Sequence, residues 1–224
     1  MSSFSRVQDQ TDSAAPADDA QAKHAFALLR KARGGDRLAY GQIVELFQDR
    51  LYNAVLRMVG DREEAAELTQ EAFTRGLAAI ADFRGEAGPY TWLFRIAMNL
   101  SISRLRQVSK RRVFSLDAPV GGSANSDHHP RNQATALVDR LRREAAPNPA
   151  EAAEMRERSA QVLAALGRLD AEYRAVLVMR DVEGFDYQQM ADVLSLPLGT
   201  LKSRLFRARI ALRDELKAYM GNVH

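Results

Sequence analysis

The chain contains no cysteine, which removes disulfides and thiolate-bound metal from consideration and fits a reducing compartment. It has no apolar run approaching the roughly twenty residues of a membrane span. Its first residues lack the basic and apolar blocks of a secretory leader. The expectation is a cytoplasmic protein without membrane insertion. Excess charge of one sign is also scarce, with 32 Lys and Arg against 29 Asp and Glu, a net of +3. Any affinity for nucleic acid must therefore come from where the cations stand rather than from their total. Histidine appears only at 24, 128, 129 and 224. His128 and His129 are adjacent, but no acidic or cysteine partner stands at metal-site spacing. There is no glycine-rich phosphate loop, no HExxH pair and no nucleophile elbow. A nuclease would need clustered carboxylates or histidines for metal-assisted hydrolysis, and these are lacking too. No catalysis, cofactor or metal is expected.

What is present is helical pattern. Hydrophobic residues are 46% and charged residues 27%, as in ordinary globular proteins. Residues 1–22, rich in Ser, Asp, Ala and Gln, read as a disordered tail. Helical periodicity begins near Lys23, with Ala25, Phe26, Leu28 and Leu29 apolar. Gly34-Gly35 ends it and Asp36 caps a second helix, whose Ile43, Phe47, Leu51, Val55 and Met58 recur at steps of four and three. Gly60 closes that helix. Asp61 caps a third, acidic one, with Glu64 at the capping-box position. On this helix Phe73 and Leu77 are expected at the surface beside Gln70 and Glu71, as a face for a partner. A loop from Asp82 to Gly88 leads to Pro89, which suits the first turn of a fourth helix running to about Arg112. Gly, Ser, Asn and Pro then punctuate 113–149, a linker, before helical pattern returns in 150–224. The fold class is all-α: two helical domains, 23–112 and 150–224, joined by a flexible linker.

Two helices carry surfaces with chemistry. On the fourth, Trp92, Arg95, Asn99, Ser103, Arg106 and Lys110 follow at steps of three and four and share a face. An aromatic that stacks on bases and cations that neutralise phosphates suit a nucleic-acid strand. The alternative is that Trp92 belongs to the core and the arginines favour the helix C-terminus. Near the end of the chain, Asp186 to Arg209 reads as two short helices around a turn. Asp186 and Gln189 form a capping box, and Pro197 starts the second helix. That second helix is apolar along Leu201, Leu205, Ala208 and Leu212 and cationic along another face, the pattern of a helix-turn-helix.

Three segments resemble a known family. Glu67-Leu68-Thr69-Gln70-Glu71-Ala72-Phe73 is similar to the region-two helix that grips core polymerase in bacterial RNA polymerase sigma factors of the extracytoplasmic-function group. Phe83-Arg84-Gly85, with Tyr90-Thr91-Trp92-Leu93-Phe94-Arg95-Ile96-Ala97-Met98-Asn99-Leu100, resembles the part of region two that opens and reads the minus-ten element. Gly199-Thr200-Leu201-Lys202-Ser203-Arg204-Leu205-Phe206-Arg207-Ala208-Arg209 resembles the region-four recognition helix for the minus-thirty-five element. The resemblance implies core-polymerase contacts at Glu67, Gln70, Glu71 and Phe73. It implies minus-ten contacts at Phe83, Arg84, Tyr90, Trp92, Arg95, Asn99, Ser103 and Arg106. Minus-thirty-five contacts fall at Lys202, Ser203, Arg204, Phe206, Arg207 and Arg209. Partners implied are core RNA polymerase, promoter DNA as duplex and as melted strand, and an anti-sigma factor. The alternative is a stand-alone helix-turn-helix regulator acting on duplex DNA without polymerase. Ser195 stands where the family often has glycine, and a left-handed backbone there would cost serine on the order of 1 kcal/mol.

Overall fold

The structure, a computed structural model, describes residues 16–116 and 160–221. His128, His129 and the linker expected at 113–149 fall wholly or largely outside the described residues. Every regular element among those described is helical. The first module contains α1 (Pro16–Arg33), α2 (Arg37–Val59), α3 (Arg62–Ala78), a 3-10 turn (Ile80–Asp82) and α4 (Pro89–Leu116). The second contains a helical run over 160–168, α5 (Ala171–Leu177) continuing into a π-helical turn (Val178–Val182), α6 (Tyr187–Leu194) and α7 (Leu198–Gly221). α1 starts at Pro16, not near Lys23, so part of the segment expected as a disordered tail is helix. α4 continues to Leu116 instead of stopping near Arg112.

The boundaries have local causes. Asp36 accepts from the Ala39 amide at 3.1 Å and starts α2. Gly60, at φ 79°, ends it in the left-handed region, its amide donating to the Leu56 carbonyl. Asp61 caps α3 through the Glu64 amide at 2.8 Å, but the Glu64 side chain pairs with Arg104 instead of closing a capping box. The capping box does form at α6. The Gln189 amide donates to Asp186 Oδ1 at 2.8 Å, and the Asp186 amide donates to Gln189 Oε1 at 3.0 Å. Ser195 adopts φ 53°, ψ 48°, the left-handed turn that lets α7 cross α6. The stripe Leu201, Leu205 and Ala208 is fully or almost fully buried beneath α7.

The two modules share one apolar core. Phe185 packs its ring 4.7 Å from Phe94 and 6.4 Å from Tyr90. Beside it the Glu183 carboxylate, 5% exposed, receives Arg50 Nε at 2.9 Å and the Tyr90 hydroxyl at 2.8 Å. Arg174 is buried and donates to the carbonyls of Met58, Gly167 and Leu169. Met58 lies in the last turn of α2, where backbone carbonyls lack helical partners and favour a cation. Burial pushes the Arg174 pKa down, so the bonds work against a desolvation cost. Replacing Arg174 with Met strands three carbonyls. The unfolding free energy should fall by about 2–4 kcal/mol, read from urea unfolding followed by circular dichroism. A change near zero would mean that the cost of burying the guanidinium cancels its hydrogen bonds.

Candidate nucleic-acid and partner interfaces

A groove of about 560 Å³ opens between α2 and α3. Val44, Gln48 and Tyr52 line one wall and Gln70, Phe73 and Leu77 the other, with Tyr40 at its base. Leu77 is 42% exposed on the rim. Phe73, expected at the surface, is only 7% exposed: it lies on the buried side of α3, and only part of its ring reaches the groove. Helical spacing alone does not say which of α3's faces its neighbours cover. Glu67 and Glu71 point the other way, into a polar cleft of about 530 Å³ between α3 and α4, together with Asn99, Ser103, Arg104 and Gln107. Glu71 pairs there with Arg75 at 2.5 Å. The four expected polymerase contacts thus divide between two clefts.

Gly76 sets how closely the three helices approach. A Cβ at this position would lie 2.7 Å from Leu93 Cδ2 and 2.7 Å from the Tyr40 hydroxyl. Tyr40 is held there by donating to the Phe73 carbonyl. Burial pushes its pKa up to about 12, and a backbone hydrogen bond from Leu77 pulls the other way.

The expected face of α4 exists as one stripe. Arg95, Asn99, Ser103 and Arg106 are exposed, and Trp92 is half-buried, its ring 5.2 Å from that of Phe83. Trp92 joins the edge of the core and borders the cationic stripe, so its position does not decide between the two readings. Arg84 is exposed in the loop. Arg106 is engaged by Glu172 of the second module at 2.8 Å. Tyr90 is 8% exposed. Burial, then the Glu183 carboxylate, push its pKa far above the usual tyrosine range.

On α7, Lys202, Ser203, Phe206 and Arg207 stand in solvent, Phe206 at 68% exposure. Lys202 Nζ lies 5.5 Å over the Tyr187 ring, which Arg180 also approaches at 5.0 Å. Arg204 pairs with Glu172 at 2.8 Å, and Arg209 donates to Asp181 from Nε and Nη2, which raises the Arg209 pKa. Sequence reasoning passed over Tyr187, Glu172 and Asp181. Tyr187 directly follows a recognisable cap, a usable signal, whereas the two carboxylates meet their partners only through the tertiary fold.

Two outcomes follow from the Tyr40–Gly76 contact. In an ordinary helix interior Gly→Ala is favourable by up to about 1 kcal/mol. Gly76→Ala should instead destabilise by roughly 1–3 kcal/mol, because it pushes on Leu93 and Tyr40. Thermal unfolding checks the sign. Tyr40 also gives a pH dependence. An unfolded tyrosine ionises near 10, while the folded one holds its proton to about 12. The stability from this group is complete below the lower value and is lost as pH rises through the upper one. Urea midpoints across that window should fall more steeply for the parent than for Tyr40→Phe.

Residues 43–112 match the family Sigma-70 region 2, and residues 159–212 match Sigma-70, region 4. The ECF RNA polymerase sigma factor SigW of Bacillus subtilis (strain 168) is 31% identical over 189 residues, covering 84% of this chain and 95% of the relative. The RNA polymerase sigma-H factor of Pseudomonas aeruginosa is 32% identical over 194 residues, covering 85% and 92%. Among solved structures, the sigma factor RpoE in complex with the anti-sigma factor NepR from Bartonella quintana has a similar fold. Its TM-score is 0.55 at 21% identity, covering 80% of this chain and 96% of that one. With both sigma regions matched in order, and relatives aligned along nearly their whole length, the chain belongs to the extracytoplasmic-function group of the sigma-70 family of RNA polymerase sigma factors.

Proposed function

We propose that this sigma factor binds core RNA polymerase through the α2–α3 groove and directs it to promoters by holding duplex on α7 and an opened strand on α4. The observation that carries the reading is Phe206. A large apolar side chain is left 68% exposed between Lys202, Ser203 and Arg207, on a helix held at its crossing by a capping box and a left-handed turn. In the major groove, Lys202 and Arg207 reach guanine acceptors, Ser203 offers a hydroxyl, and Phe206 meets a thymine methyl. Arg204 and Arg209 hold phosphates and fix register, exchanging Glu172 and Asp181 for the DNA backbone.

At the minus-ten element a base leaves the stack for the loop between Phe83 and Pro89. Trp92 offers a ring edge, Asn99 and Ser103 polar groups, and Arg84, Arg95 and Arg106 charge along the strand. Tyr90 contributes to DNA only once Glu183 releases its hydroxyl. The groove takes an apolar helix of the polymerase against Phe73, Gln70 and Leu77, while Glu67 and Glu71 on the neighbouring cleft suit basic residues beside it. Bond making belongs to the polymerase; the sigma chain contributes no catalysis of its own. It works in the cytoplasm. An anti-sigma factor is a further partner, as for the Bartonella quintana protein solved with NepR.

Run-off transcription with core polymerase on a promoter library tests the whole reading. Transcripts that require this chain support it. Duplex binding without polymerase, and no transcripts, would make the chain a stand-alone regulator. Within α7, Arg207→Ala should cost about 1–3 kcal/mol on the best promoter and flatten preference at one or two upstream positions. Arg213→Ala, further along the helix, should leave that preference intact and lower the salt slope by about one unit. An unchanged order of preferred sequences in Arg207→Ala would remove this helix from base readout.

A further inference from the structure

The residues matched to region 2 begin at 43, beyond the end of α1 at Arg33. Its core contribution comes from Ala25, Leu28, Leu29 and Ala32, all buried. Phe26 is different. It is half-buried on the flank of the helix, and its ring faces the loop that leads into α4. The Phe26 and Phe83 centroids are 6.1 Å apart with the planes at 40°. Phe83 and Trp92 follow at 5.2 Å and 58°. Three rings thus run from α1 across the loop to the DNA-facing edge of α4.

A hydrogen bond also ties the same helix to the same loop, and the loop backbone passes close to the Phe26 ring. Arg33 Nη1 donates to the Phe83 carbonyl at 3.4 Å. Gly85, at φ 79°, turns the chain close enough that a Cβ there would lie 4.0 Å from Phe26 Cε1. Between these anchors and Gly88, residues Arg84, Gly85, Glu86 and Ala87 are all exposed. A stretch with so little burial has low local stability, so the contacts at Phe83 weigh heavily in where it stands.

We propose that Phe26 is a positioning residue for the minus-ten loop: seated against Phe83, and seconded by Arg33 on the Phe83 carbonyl, it fixes the height of the loop above the Trp92–Asn99 face and so sets how well an extruded base is discriminated. The inference rests on the promoter-reading role assigned to region two above. Phe26 touches no DNA itself; it acts through Phe83. An aromatic pair contributes enough to change the population of the correctly placed loop several-fold.

The test uses the full chain with core polymerase and one promoter recovered from the library, together with its single-base variants at both elements. Phe26→Leu keeps apolar bulk and removes the ring. It should lose discrimination at one minus-ten position by about three- to tenfold and keep the minus-thirty-five preferences and core recovery unchanged. Phe26→Tyr keeps the ring and should restore discrimination. Arg33→Met, an exposed site, should shift discrimination in the same direction by less, and it stands in if Phe26→Leu fails to fold. A uniform loss on every promoter, or a lower melting temperature with base preferences intact, would make Phe26 a packing residue only and overturn the inference. Absence of any transcript with the parent chain would instead overturn the promoter-reading role itself, and this inference with it.

Discussion

The approach of α3 to both α2 and α4 is the constraint on which the first module depends, and it is set by a hydrogen atom where other residues carry a side chain. At Gly76 the Tyr40 hydroxyl and the Leu93 methyl occupy the space a Cβ would fill. Because the helices cross this closely, Tyr40 reaches the Phe73 carbonyl and forms the base of the α2–α3 groove. On the opposite flank of α3, the same close approach brings its acidic residues to the α4 face bearing Asn99 and Ser103. Groove and cleft are two sides of one crossing, and a change in its distance alters both.

The contacts between the modules fall into two classes. Glu183 is buried, with Arg50 and the Tyr90 hydroxyl on its carboxylate, and Arg174 is buried against the end of α2. Removing one partner of such a set leaves an uncompensated polar group in a low-dielectric site, so it holds strongly. The pairs of Glu172 with Arg106 and of Asp181 with Arg209 are exposed to water, and that of Glu172 with Arg204 partly so. Exposed pairs contribute about 0–1 kcal/mol each and are screened by salt. Such pairs open at little cost, while the buried set keeps the modules together.

Local signals were legible in the sequence: the caps at Asp36, Asp61 and Asp186, the stop at Gly60, and the apolar stripes of α2 and α7 all depend on neighbours within a turn or two. The left-handed turn at Ser195 was foreseeable from the resemblance, since the family often has glycine there. The start of α1 was not, because Ser, Asp, Ala and Gln compose tails as readily as first turns, although Pro16 suits a first helical position. The burial of Phe73 and the division of Glu67 and Glu71 from Gln70 depend on which helices flank α3, and helical period does not specify that. The need for glycine at 76 is equally non-local, since it comes from the approach of Tyr40 and Leu93. The engagement of Tyr90, Arg106, Arg204 and Arg209 by Glu172 of α5, Asp181 of the π-helical turn and Glu183 just after it joins positions that no periodicity relates.

Trp92 is the chain's one tryptophan, and that has a spectroscopic consequence. Indole emission from this protein reports a single place, the edge where the α4 face meets Phe83, whereas far-ultraviolet ellipticity sums helices from both modules. One probe is local to the first module and the other is global. Coincidence of the two signals along a denaturation curve measures directly whether the shared core makes the modules a single cooperative unit, with no label and no substitution.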